Sequence, residues 1–353
     1  MIKIIFAFLV AVILFGGVSY KLLHTTTINS VSRLKKTAGQ LMKTPSSPTQ
    51  IQKSISSLSI EAMRVKSYPG SAVSIEQTLT PASNYSRYVV SYMSEGLKIY
   101  GLLTVPTGQK PQNGWPVILF NHGYIPPASY STVSSYNVMV APIASARFIV
   151  FMPDYRGNGN SEGTPTQPYI TPDYVTDSMN ALASIEKYKD ADPQKIGVFG
   201  HSMGGNISLH ELVMTHDIKA AELMAGVVGN ESDLANWWSH RYAVHSIVGN
   251  DLDTYYVFEK MIQDNGIPAN NPTYWNAIDP TKFIGLINAP VQIQVGSADE
   301  EVPITFSSSL KDTLSQSGKV VDYHLYPEAN HNLAPDIYPA MQTCVAFFKK
   351  YLQ

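Results

Sequence analysis

The 353-residue chain predicts an α/β fold: a mostly parallel central sheet flanked by helices, with antiparallel strands at one edge and a helical cap insertion. Three observations carry that prediction. From Tyr88 onward, short β-branched and aromatic runs alternate with helix-length segments, the pattern of successive strand-helix-strand units. The apolar run Lys195 to Phe199 leads directly into Gly200-His201-Ser202-Met203-Gly204 and then into the helix-like Asn206 to Leu212. In the C-terminal third, two more strand-like runs each end just before a polar residue able to serve that serine, Asp299 and His331.

The N-terminus differs in kind from the rest. Residues 4–20 carry no charge between Lys3 and Lys21, and Ile4 to Val18 is almost continuously apolar. That length suits a short spanning helix or a long signal-peptide core. Residues 1–20 are therefore expected to be an uncleaved anchor or a signal, with the folded domain outside the cytoplasm. Lys21, Arg33, Lys35 and Lys36 follow the segment, so its flanking charges do not set an orientation. Residues 21–70 are expected to be a tether, because Thr44 to Gln50 and Ser54 to Ser59 are rich in Pro and Ser. Within it, Ile51, Ile55, Leu58 and Ile60 have the spacing of a short amphipathic helix against the domain.

The domain proper is expected over 71–353. Tyr88 to Met93 and Leu97 to Val105 flank Ser94-Glu95-Gly96 as a hairpin. A strand over Trp115 to Asn121, a helix near Ser134 to Ser145, a strand over Phe148 to Met152 and a helix from Asp173 to Tyr188 precede the serine strand. Strands at Ala220 to Val228, Pro290 to Gly296 and Val320 to Tyr326 follow, and the last helix holds Cys344. Between the first two of these lies a cap insertion at about 229–289, longer than one crossover needs. It holds Trp237, Trp238, Tyr242, Tyr255, Tyr256, Phe258 and Trp275. Such aromatic density reads either as a lid lining an acyl or side-chain pocket, with Trp237 and Trp238 as substrate contacts, or as packing of the insert onto the body. Glu231 and Asp233 offer carboxylates to a cationic substrate group, although helix capping explains Asp233 equally well.

A serine hydroxyl is a weak nucleophile at neutral pH. It needs a sharp strand-to-helix turn that exposes it to a base and to backbone N–H donors, and Gly200 and Gly204 leave room for such a turn. His331 is the natural base, with Asp299 holding its tautomer; Glu300 and Glu301 are adjacent rivals for the acid. His324 falls inside a strand pattern and His201 points the wrong way to act as base. His210, Glu211 and His216 resemble a zinc helix, but the histidines are six residues apart rather than four, and the trio reads as solvated helix surface. The strand Trp115 to Asn121 ends in His122-Gly123-Tyr124, so the oxyanion donors are expected to be the N–H groups of Met203 and Tyr124. An ordinary strand-to-loop turn is the alternative for that segment.

Composition narrows the partners. A formal net charge of −2 without a basic stripe excludes nucleic acid. A single cysteine excludes an internal disulfide and reads as a buried, inert thiol. The expected partner is a small molecule or short peptide, with no metal or organic cofactor, and with membrane contact only through the N-terminal segment.

Taken in order, the His-Gly strand end, Asp154-Tyr155-Arg156-Gly157-Asn158-Gly159-Asn160-Ser161-Glu162-Gly163, the Gly-His-Ser-Met-Gly turn, Gly296 to Pro303 and Tyr326 to His331 resemble the α/β-hydrolase superfamily. More narrowly they resemble the catalytic domain of the prolyl oligopeptidase group of serine peptidases, over roughly residues 85–352. The resemblance implies Ser202 as nucleophile, Asp299 as acid and His331 as base. Two features depart from that group. The 70 mostly polar residues ahead of the domain are too few for its large N-terminal propeller, and Asn121-His122 stand where many members carry an oxyanion tyrosine. The resulting expectation is a serine hydrolase that forms an acyl-enzyme and cleaves peptide or amide bonds. A carboxylesterase is the alternative, and an inactive hydrolase-fold binding module is a more distant one.

Overall fold

The computed structural model describes residues 57–166, 169, 171–244 and 260–353, with the backbone alone over 238–244. The apolar N-terminal segment, most of the tether and the aromatic residues Tyr255, Tyr256 and Phe258 lie outside them, as do the side chains of Trp238 and Tyr242. Nine strands follow one another in the described chain: β1 (Ser74–Leu79), β2 (Tyr85–Ser94), β3 (Leu97–Pro106), β4 (Trp115–Asn121), β5 (Ile149–Pro153), β6 (Ala191–His201), β7 (Ile218–Met224), β8 (Val291–Gly296) and β9 (Val321–Tyr326). They form one sheet in the order β1-β2-β3-β5-β4-β6-β7-β8-β9. From β5 to β9 neighbouring strands run parallel, whereas β1, β2 and β3 add antiparallel pairs at one edge.

Helical periodicity is answered by α1 (Ile60–Val65), α2 (Asn137–Ser145), α3 (Asp173–Ile185), α4 (Met203–Met214), α5 (Glu231–Val244), α6 (Pro272–Ile278), α7 (Ile304–Gln316) and α8 (Ile337–Leu352). The sheet is covered on both faces, which is why its central strands are apolar throughout rather than alternating with polar residues. In β4, Val117 and Leu119 join the core beneath α3, α4 and α7, while Ile118 and Phe120 join the core beneath α2 and α8. Cys344 of α8 is fully buried in the second core, and burial raises its thiol pKa.

Two boundaries and the exposure of one helix differ from the expected ones for identifiable reasons. Residues Ile55–Gln353 cluster as one compact unit, and α1 sets Ile60 and Met63 into the core. The body therefore starts ahead of the boundary at 71 that polar composition suggests. The strand expected over Ala220 to Val228 stops at Met224, because Ala225 takes a left-handed backbone (φ 47°) and its N–H turns to the Gln294 carbonyl, 2.8 Å away. Finally, α4 is not a solvated surface helix. It crosses the centre of the sheet, and Glu211 is fully buried, a correction to the exposed reading of His210-Glu211.

The strand order reverses at β4, which lies between β5 and β6. In open α/β sheets the carboxyl ends of strands at such a reversal leave a crevice where ligands bind. Register pairs Asn121, the last residue of β4, with Gly200 near the end of β6. The His-Gly turn and the serine turn thus emerge side by side.

Candidate active site

Ser202 joins β6 to α4 with φ 54° and ψ −121°, a conformation that costs on the order of 1–3 kcal/mol for a residue with a Cβ. Neighbouring backbone holds the turn against that strain: Ser202 N–H donates to Met224 O at 3.1 Å, and its carbonyl accepts from Gly205 and Val227, both at 2.9 Å. The flanking glycines are required sterically. A Cβ at Gly200 would lie 2.5 Å from both Gly204 O and Ser208 Oγ, and one at Gly204 would overlap the Asn121 carbonyl. Met203 is the first residue of α4, so its N–H has no acceptor within the helix and sits at the positive end of the helix dipole.

Asp299 and His331 come together at the same sheet edge, from the loops after β8 and β9. Backbone bonds tie those loops: Ser297 N–H donates to Tyr326 O and Ala298 N–H to Ala329 O, both at 2.9 Å. His331 Nδ1 lies 2.9 Å from Asp299 Oδ2 and 3.1 Å from Oδ1. A carboxylate only accepts, so the proton sits on Nδ1 and leaves Nε2 as the acceptor. Asp299 Oδ1 also takes the N–H groups of Glu301 and Val302, each at 2.9 Å. This side-chain-to-backbone turn places the carboxylate of residue 299, rather than its neighbours, under the imidazole. Glu301 stays exposed, with its carboxylate 4.0 Å from Nε2. Among the described residues, His331 makes no hydrogen bond to Ser202 Oγ, a separation often seen before substrate closes a site.

On the other side of the serine, a Cβ at Gly123 would fall 2.9 Å from Ser202 Cβ, so the Gly123-Tyr124 backbone lies against the nucleophile. His122 does not face the site. Its ring is buried between Tyr130 and Tyr155, at centroid distances of 4.7 and 4.5 Å, and burial lowers its pKa to about 4.

Sequence reasoning missed the polar support behind this edge. The Asn121 amide donates to Glu211 Oε2 at 2.7 Å and to Ser208 Oγ at 2.9 Å. Its oxygen accepts from Ser178 at 2.6 Å and Tyr155 at 3.2 Å. One side chain thereby ties β4 to α3, α4 and the loop after β5. Burial raises the Glu211 pKa to about 7. The Asp154 to Gly163 loop is fastened similarly. Arg156 contacts Asp177 at 2.7 Å, Glu95 at 3.0 Å and Asp173 at 3.2 Å, while Asp154 accepts from Thr132 at 2.6 Å and Tyr130 at 2.8 Å. The charged and Gly-rich composition of 154–163 was the available signal. Asn121 gave none, since it reads as an ordinary strand end.

Trp237 is half-buried and packs edge-on against Phe306 of α7, with centroids 5.6 Å apart. Trp275 is buried, its Nε1 donating to Gly266 O at 2.9 Å. Asn230 Oδ1 caps α5 by accepting from Asp233 N–H at 3.0 Å, and Asp233 Oδ2 accepts from the Asn230 amide at 2.7 Å, so the Asp233 carboxylate braces the cap. Glu231 is 6% exposed, and its Oε2 has no hydrogen-bond donor among the described residues. It lines a cavity of about 20 Å³ with Met203, Asn206, Ile207, His210 and Ile278, room for a water-sized group. Burial, and next the charge of Asp279, raise its pKa well above the usual carboxylate range. Burial thus favours the protonated form of this carboxyl where no cation faces it.

A profile of the prolyl oligopeptidase family matches residues 134–353, which include Ser202, Asp299 and His331. The chain belongs to the prolyl oligopeptidase family. It is accordingly a serine hydrolase, as the turn and its strand context predict. A relative named as an uncharacterized peptidase, YtmA of Bacillus subtilis (strain 168), is 26% identical over 244 residues, 69% of this chain and 85% of that one. Among solved structures, an acetyl xylan esterase from Paenibacillus sp. R4 superposes with a TM-score of 0.60 at 19% identity, covering 83% of this chain and 92% of the esterase. The acylaminoacyl peptidase of Pyrococcus horikoshii gives 0.57 at 20% identity, covering 76% of this chain and 42% of the peptidase. At such identities both superpositions speak for the α/β-hydrolase fold alone.

Proposed function

We propose that this hydrolase cleaves peptide or amide bonds through an acyl-enzyme on Ser202. The observation that carries the proposal is the Asp299-His331 pair, bonded at 2.9 Å at the edge where strained Ser202 is presented. His331 Nε2 takes the Ser202 proton as Oγ attacks the substrate carbonyl, and Asp299 steadies the resulting imidazolium. The N–H groups of Met203 and Tyr124 receive the oxyanion. Collapse expels the amine, which leaves with the proton from His331. Water, deprotonated by the same histidine, then attacks the ester and releases Ser202.

The second reading is a carboxylic ester substrate. It is supported by the Gly200-His201-Ser202-Met203-Gly204 turn, which serves acyl transfer from an ester as well as from an amide. Parallel assays on p-nitrophenyl esters and aminoacyl p-nitroanilides, with Ser202→Ala as control, decide between them. Turnover of anilides is expected; turnover of esters alone would install the second reading. The proposal also places the domain outside the cytoplasm, held by the apolar residues 4–20, with the uncharged run as its support. Full-length protein is then expected in the membrane fraction, and intact protein in the cytosol would refute the anchor.

A further inference from the structure

We propose that Tyr136 and His201 are positioning residues: one directional chain of hydrogen bonds through them holds the oxyanion turn in register with the loop that carries His331. Gly123 N–H donates to Tyr136 Oη at 2.8 Å. Tyr136 Oη lies 2.9 Å from His201 Nδ1, and His201 Nε2 lies 3.3 Å from the His331 carbonyl oxygen. One proton arrangement satisfies all three contacts. The phenol spends its lone pair on Gly123 and its proton on His201 Nδ1, so the imidazole carries its proton on Nε2 and donates it to His331 O. The chain thus starts at the end of β4, passes through the residue ahead of α2 and the last residue of β6, and ends in the loop after β9.

Each link has a consequence at the serine. Because Gly123 N–H is engaged by Tyr136, it is not itself available to an oxyanion, and the chain sets the orientation of the Gly123-Tyr124 peptide beside Ser202. Tyr136 holds a left-handed backbone (φ 62°, ψ 12°), uncommon for a residue with a large side chain, and its ring meets Phe120 edge-on at 5.5 Å. The fit is close: a Cβ at Gly123 would lie 2.6 Å from Tyr136 Oη. His201 is 2% exposed, and burial, followed by the His331 charge, lowers its pKa to about 3. Its ring centre lies 5.0 Å from that of His331, so a neutral His201 spares the imidazolium formed during catalysis a like charge beside it. The inference rests on the roles given to Ser202 and His331. It is the same for an amide or an ester substrate.

The test compares Tyr136→Phe, His201→Leu, the double variant and His201→Gln. For each, kcat and KM are measured on whichever chromogenic substrate the native protein turns over, together with the inhibition constant of phenylboronic acid and the melting temperature. Phenylboronic acid forms a tetrahedral adduct on the serine and so reports the oxyanion geometry without turnover. Each single substitution removing a link is expected to lower kcat by about 10- to 100-fold, the cost of one buried hydrogen-bonding group left unpaired. Boronate affinity should fall by a similar factor while KM stays within about twofold, since ground-state binding does not use the chain. The double variant should be no worse than the poorer single one, because breaking either link breaks the same chain. His201→Gln keeps an acceptor and a donor and should recover much of the loss. Multiplicative losses in the double variant, or folded variants with native kcat and boronate affinity, would overturn the inference. Failure of Ser202 to label with a fluorophosphonate in the native protein would instead overturn the serine mechanism itself, so the two failures are distinguishable.

Discussion

Asp299 shows how one carboxylate is chosen from three consecutive acids. Its side chain is fully buried and accepts from the imidazole and from two backbone N–H groups of its own turn, while Glu301 remains exposed 4.0 Å from Nε2. Asp299→Asn should therefore cost on the order of 10³- to 10⁴-fold in kcat by disturbing the imidazole tautomer, with Glu301→Gln costing less than about fivefold. Steady-state kinetics of the two variants check this, and a crippled Glu301→Gln would transfer the acid role. Glu231 leads to the opposite expectation. Its Oε2 is buried without a donor among the described residues and burial favours the protonated form, which an amide resembles, so Glu231→Gln should leave the ratio of anilide to ester turnover unchanged and the melting temperature equal or higher. A selective loss on aminoacyl anilides would make Glu231 a recogniser of the substrate amine.

Among the elements, α1 and α4 carry the most consequence. The helical spacing of Leu58 and Ile60 within the tether is answered by α1, in which Ile60 is fully buried and Ser59 caps the helix by accepting from Ala62 N–H at 3.2 Å. Ile60→Ala should destabilise the fold by about 2–5 kcal/mol, seen as a shifted denaturation midpoint with an unchanged slope. A chain beginning at residue 71 should be less stable than one beginning at 55. Equal stability of the two would return α1 to the tether. Helix α4 is buried along nearly its whole length, so its polar residues form no solvated face. Glu211 answers to Asn121 rather than to solvent, and it supports the strand that leads to the oxyanion turn.

At the scale of the molecule, buried acids set the response of stability to pH. Asp154 and Glu211 keep their protons up to about pH 7 in the folded state, against ordinary values of 3.8 and 4.5. Glu222 and Glu231 are displaced the same way. Between pH 4 and 7 these carboxyls hold protons that the unfolded chain has lost, so their contribution to stability falls as pH rises through that window, opposed up to the ordinary histidine value of 6.5 by buried His122, His201 and His210, which hold fewer protons folded than unfolded. For Asp154 and Glu211 the contribution is complete below the unfolded values and gone above about pH 7. Melting temperatures should accordingly be higher at pH 5 than at pH 8, and Glu211→Gln should reduce the difference. A difference of unchanged size in that variant would remove Glu211 as a cause.

By itself the sequence determined the α/β class, the strand that delivers Ser202, and the chain order of serine, acid and histidine. Each of these is a local matter. Periodicity reports which side of an element is apolar, and a glycine-flanked serine between a strand and a helix reports its own turn. Tertiary structure alone decided which side chains stand behind those elements. Tyr136 and His201 are 65 residues apart, and His201 and His331 are 130 apart, so no window of sequence contains either pair. The burial of Glu231 and Glu211 was likewise settled by what covers α5 and α4. Hydrophobic pattern places an element against the core, but the partner of a polar group is fixed only when a second element, distant in the chain, packs over it and excludes water.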